Sequence, residues 1–163
     1  MTSIYWMCVW LHLMAALTWL GGMFFLAAVG APVLRHVQPA ALRQQLFDGL
    51  GRRTRTVGWW AIAVLVGTGS VIVALKGWLP LLADAAFWRE PPGRTLAWKL
   101  VLVLAMLGMS AVHDFVLGPA AGRAEAGSEA ALALRRRASM NARVTALLGL
   151  VLVYVAARLA RGG

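Results

Sequence analysis

MTSIYWMCVWLHLMAALTWLGGMFFLAAVGAPVL, residues 1–34, contains no lysine, arginine, aspartate or glutamate. A helix crosses the hydrocarbon core of a bilayer with about 20 apolar residues, so this stretch is long enough for one crossing. A cleaved secretory leader has a basic start and a shorter apolar run. This segment has neither, although AVGA at 28–31 is weakly like a cleavage site. We read residues 4–31 as a membrane-spanning helix, ended by Pro32, whose ring and missing N–H break the helical ladder.

The rest of the chain repeats the pattern. Residues 56–75 lie between Arg55 and Lys76 and form a second span; residues 95–117 form a third, stopped by Gly118-Pro119; residues 141–160 form a fourth, with Arg143 and Arg158 snorkelling at its ends. Lipid tolerates no open-edged sheet, so all four are read as helices. The 163 residues suit one domain, and the chain is 61% hydrophobic and 13% charged. Soluble domains average about 45–50% and about 25%. Mean hydropathy is +0.73. The expected fold is therefore all-α: residues 1–163 form a single integral membrane four-helix bundle.

A net charge of +10 would suit nucleic acid in a soluble protein. In a membrane protein basic residues gather in cytoplasmic loops, so no nucleic-acid partner is expected. The first loop and third loop together carry ten: Arg35, Arg43, Arg52, Arg53 and Arg55, then Arg123, Arg135, Arg136, Arg137 and Arg143. The second loop and the C-terminal end carry six: Lys76, Arg89, Arg94, Lys99, Arg158 and Arg161. The positive-inside rule places the first and third loops in the cytoplasm and both termini on the outer, periplasmic side of a bacterial-type inner membrane. PAALRQQLFDGL, 39–50, has the pattern of a short amphipathic helix on the inner surface. Trp78, Phe87 and Trp88 in the second loop suit interfacial anchors. Gly21-Gly22 and the GTGS at 67–70 suit close helix packing through small residues.

Polar side chains inside the spans carry the functional signal, because burying them in lipid is costly. At 100° per residue, Lys99, Met106 and His113 share one face of the third span, with Met109 and Ser110 beside it. This stripe is expected to point into the bundle. Cys8 and His12 share a face of the first span, continued by Trp19 and Met23; Met7 and Met14 lie elsewhere on it. Soft sulfur with imidazole suits Cu(I), and imidazole suits haem iron. Each residue also has a plain structural reading. Methionines pack, Cys8 is a small buried residue, Lys99 snorkels, and His36, beside Arg35, faces solvent or headgroups. Asp114 follows His113 directly and points about 100° away on a helix, so it is expected to partner something other than that ring. It pairs with a loop arginine, bonds a neighbour of His113, or accepts from and so orients an imidazole that holds a metal. His12 and His113 differ in depth by roughly 15 Å, which makes two stations rather than one site. With one cysteine, Cys8, an internal disulfide is impossible.

WLHLMAALTWLGGMFFLAAVGAPVL, at 10–34, resembles the opening of the copper-resistance D (CopD) membrane family: a histidine, W-x-G-G, then a proline at the helix end. The similarity continues through GRRTRTVGWWAIAVLVGTG at 51–69 and WKLVLVLAMLGMSAVHDFVLGP at 98–119. The histidine early in the first span and the lysine opening the third are also similar to the HemJ-type membrane protoporphyrinogen oxidases, which implies haem at His12 and Lys99. The arginine-rich loops and HDFVLGP favour the copper side. Members of the CopD family have further helices, so this chain matches their membrane domain, and transport implies a homo-oligomer or a larger membrane partner.

These residues support three readings, in order of preference. The first is a protein that handles or transports copper, with Cys8, Met7 and His12 as donors near the outer face and Met106, Met109 and His113 deeper. The second is a b-type haem redox protein with His12 as axial ligand. The third is an accessory subunit of a larger membrane enzyme. No catalytic triad, phosphate loop or paired carboxylates in a span point to an enzyme, and no catalytic residue is assigned; an enzymatic role is expected only as a haem-dependent oxidoreductase.

Overall fold

The computed structural model describes residues 3–125 and 128–162. It is all-helical over the described residues and contains four helices long and apolar enough to cross a membrane: α1 Ser3–Arg35, α2 Ala40–Leu75, α3 Pro91–Arg123 and α4 Glu129–Ala160. The protein is a multi-pass membrane protein, and its apolar helix faces meet lipid. Antiparallel neighbours fix the register. Trp19 of α1 lies against Gly58 of α2, and Leu20 of α1 and Met106 of α3 converge on Gly149 of α4. Both termini therefore share one end, the terminal face, with the loop between α2 and α3. The loops joining α1 to α2 and α3 to α4 lie at the other, arginine-rich end.

The core is small. Ala15, Trp19, Ala61, Ile62 and Met106 form its centre. Alanine and glycine at the crossings let the helices approach closely, and in lipid the cohesion comes from that packing rather than from expelling water.

Four expected helix boundaries are corrected. Pro32 does not end α1, and Gly118-Pro119 does not end α3. In each helix a π-turn, Leu26–Gly30 or Val112–Leu117, precedes the proline. The proline then sits in the first turn of a resumed helix, where its missing N–H costs nothing. Residues 39–50 do not form a separate surface helix. They begin α2, whose 36 residues span about 54 Å. That exceeds the roughly 30 Å of hydrocarbon, so α2 overhangs at the arginine-rich end. Likewise α4 begins at Glu129, not near Asn141, with the Ser128 side chain accepting from Ala131 N. Gly21 and Gly22 are not close-packing positions, since a Cβ at either would meet nothing within 4 Å.

The second loop folds as a small cap. Phe87 is buried with Leu96 and Leu159, and Trp78, Leu82 and Trp88 pack around them. The Trp88 indole donates to Leu82 O at 3.0 Å. Gly93 is required here, because a Cβ would run into the Phe87 carbonyl, and backbone cannot yield as a side-chain tip can. Gly93→Ala is expected to destabilise the protein by about 1–3 kcal/mol in thermal melts. Gly108→Ala, where a Cβ meets nothing within 4 Å, is expected to be neutral or mildly stabilising.

Candidate functional site

Two histidine sites lie at different depths. On α1, His12 Nδ1 is 2.9 Å from Thr68 Oγ1 of α2. The Thr68 hydroxyl donates to Val64 O at 2.6 Å. With its only proton committed there, Thr68 Oγ1 accepts from the imidazole, which assigns the His12 proton to Nδ1 and the lone pair to Nε2. Gly69 faces the ring: a Cβ there would stand in ordinary contact, 3.5 Å from its Cε1. Cys8, one turn earlier on the same face, is buried. Lys99 stands level with His12. Leu20 and Met106 share a level at Gly149, and counting about seven or eight residues back along each parallel helix reaches His12 and Lys99.

The second site lies in the arginine-rich half of α3. His113 Nδ1 donates to Asp114 Oδ1 at 2.9 Å, and the Trp59 indole of α2 donates to Asp114 Oδ2 at 3.0 Å. Asp114 thus serves Trp59, a partner other than His113, but the expectation that it would not bond the His113 ring is corrected. Residues 112–117 form a π-turn, whose i→i+5 ladder puts more residues in each turn. Neighbouring side chains there stand closer in angle than on an α-helix. Phe115 packs against Trp59, with ring centroids 5.6 Å apart, and the Arg55 guanidinium lies 5.8 Å from the Phe115 centroid. Arg55 Nε and Asn141 Oδ1 are buried without a hydrogen-bond partner. Asn141 stands level with Asp114, eight residues before Gly149 as Asp114 is eight after Met106.

The two sites remain apart. Their partners on α2, Thr68 and Trp59, are nine residues apart, or about 14 Å along the axis. Of the expected stripe, Met106 is fully buried, while Lys99, Met109, Ser110 and His113 are half-buried. The Met106 methyl lies against Gly149 in the core, two turns from His113, so the structure does not gather Met106 and His113 into one donor set. Met7, expected beside Cys8 and His12, is 56% exposed and turns away from the bundle. Met14 is also exposed. Among the described residues no three of His, Cys, Asp or Glu come together as a ligand group.

Four residues of these sites carry no signal in the sequence: Thr68, Trp59, Arg55 and Asn141. Thr68 lies in the GTGS read as a packing motif, and Trp59 in an otherwise apolar run. Their roles come from partners on other helices, which no local pattern encodes.

A sequence-family model described as "Domain of unknown function (DUF4149)" matches residues 14–130. The match takes in all of α2 and α3 and begins two residues after His12. No curated protein and no solved structure matches the chain.

Proposed function

Since the chain belongs to the DUF4149 family, a description that assigns no activity, its chemistry must come from its own side chains, and we propose that it handles copper in a bacterial-type inner membrane, taking Cu(I) on Cys8 and His12. Both termini then face outward, and the ion is accepted at the terminal face. The observation that carries this reading is the hydrogen bond from His12 Nδ1 to Thr68, itself locked onto Val64 O. A bond of this kind behind a ligand fixes the tautomer and aims Nε2 at the metal. The Cys8 sulfur lies one turn away, and a thiolate with an imidazole suits a soft monovalent ion. His113, oriented by the Asp114 carboxylate, supplies a second, deeper imidazole in the same tautomer. The resemblance to the CopD family supports the same cargo, and a second copy or a larger membrane partner completes a path.

A second reading, haem b at the same histidine, is favoured by one observation: Lys99 stands level with His12 in the register set at Gly149, where a cation suits a porphyrin carboxylate.

An anaerobic Cu(I) titration of the detergent-purified protein against a chromophoric chelator tests the proposal. Wild type is expected to compete for the ion. His12→Ala and Cys8→Ser are each expected to abolish competition. Thr68→Val, which removes only the orienting hydroxyl, is expected to weaken binding by about 10- to 100-fold. Met7→Leu is expected to change nothing. A Soret band in the purified protein with no Cu(I) uptake supports the second reading. Neither metal nor colour, with a stoichiometric co-purifying enzyme, makes the chain an accessory subunit.

A further inference from the structure

A cleft of about 290 Å³ opens at the terminal face between the start of α3 and the end of α4, lined by Pro91, Arg94, Thr95, Trp98 and Arg158. Two arginines from different helices line it, yet among the described residues the only ion pair is His113–Asp114, on α3's other half. Arg158 sits in the last turn of α4, where the helix dipole accommodates a cation. Arg94 sits in the first turn of α3, at the positive end of that dipole, where a cation is disfavoured. Two exposed arginines from different helices border one cleft, one of them against the dipole, an arrangement that favours an anion between them. The terminal face carries the minority of the chain's basic residues, so charge-directed orientation does not account for this convergence.

The surface below the cleft is apolar and exposed. On α3, Trp98, Val101 and Ala105 follow Arg94 at helical spacing; on α4, Tyr154, Val151 and Leu147 precede Arg158 at the same spacing. All six are exposed. Each helix thus carries an arginine at its head and an apolar stripe beneath it, with the two helices antiparallel. Prolines 91 and 92 remove two backbone donors from the α3 terminus, and Arg94 N already donates to Glu90 O at 2.9 Å. The side chains, not the helix end, therefore make the polar contacts.

From this juxtaposition we infer that the cleft binds the phosphate group of a phospholipid. Arg94 and Arg158 hold the phosphate oxygens, and the Thr95 hydroxyl lines the same cleft. Trp98 sits at the headgroup boundary, and the acyl chains lie along the two stripes. Guanidinium matches phosphate through paired charge-assisted hydrogen bonds. The site is separate from His12 and stands whether or not copper binds.

Native mass spectrometry of the detergent-purified protein, with phosphatidylglycerol, an uncharged diacylglycerol or inorganic phosphate as probe, tests this. One retained phosphatidylglycerol per chain is expected, with no retention of the diacylglycerol. Arg94→Gln/Arg158→Gln is expected to lower retention at least about tenfold. Arg89→Gln, on the same face but outside the cleft, is expected to leave it unchanged. Unchanged melting temperatures keep the comparison between folded proteins. If inorganic phosphate neither binds nor displaces the lipid, the source is the headgroup. If it binds and displaces the lipid, the cleft is a phosphate site without lipid preference, and the lipid assignment is overturned. Equal phosphatidylglycerol retention by the double variant and wild type overturns the site altogether.

Discussion

Met106→Ala is expected to destabilise the bundle by about 2–5 kcal/mol, while Met106→Leu costs less than about 1.5 kcal/mol. Met106 is 0% exposed and packs with Ala15, Trp19, Ala61 and Ile62. Its methyl lies 3.3 Å from where a Cβ on Gly149 would stand, so all four helices meet around this side chain. Truncation leaves a cavity that lipid cannot reach, and its lining loses dispersion contacts outright. Unfolding by sodium dodecyl sulfate or heat reads the cost. The pair of variants also separates packing from ligation. Leucine fills the volume but removes the sulfur, so Met106→Leu is expected to keep wild-type Cu(I) affinity within about twofold. A collapse of copper uptake in a stable Met106→Leu protein would move the thioether from the core into the metal site.

Asp114→Ala is expected to cost about 2–4 kcal/mol, because one side chain serves two donors on two helices. Removing it strands the His113 Nδ1–H and the Trp59 indole N–H together. Even a half-buried donor left without an acceptor in a low-dielectric bundle loses more than the bond itself contributed. Asp114→Asn keeps an acceptor for one donor and is expected to cost about half as much. Trp59→Phe removes one donor in advance, so Asp114→Ala is expected to cost less in that background. The difference, read in a double-mutant cycle, is the coupling through the carboxylate. Strict additivity would mean that the Trp59–Asp114 bond carries no weight.

Composition and periodicity make the broad architecture legible in the sequence. The four spans and the all-helical fold come from charge-free stretches such as residues 1–34, and the inward face of α3 comes from the seven-residue spacing of Lys99, Met106 and His113. Helix ends escape the sequence where a local rule has an exception. Pro32 and Pro119 would end helices on ordinary α-geometry, but each stands after a π-turn that restarts the ladder. The same π-turn explains why Asp114 reaches the ring of its own neighbour. The overhang of α2 is hidden because LRQQLFDGL looks like a surface helix, and nothing in that pattern says that the helix continues into a span. Thr68 and Trp59 become readable only with the register between helices. A hydroxyl in GTGS acquires a role when Gly58 against Trp19 and Gly69 against His12 set α1 beside α2.

The copper proposal turns on which nitrogen of His12 carries the proton. Solid-state nitrogen-15 spectra of the bilayer-reconstituted protein, with the His12 signal assigned by loss in His12→Ala, observe that directly. A protonated Nδ1 and a bare Nε2 are expected in the apo protein, with the Nε2 resonance alone moving when Cu(I) is added. A protonated Nε2, or a His12 spectrum indifferent to the metal, would contradict copper binding at this histidine.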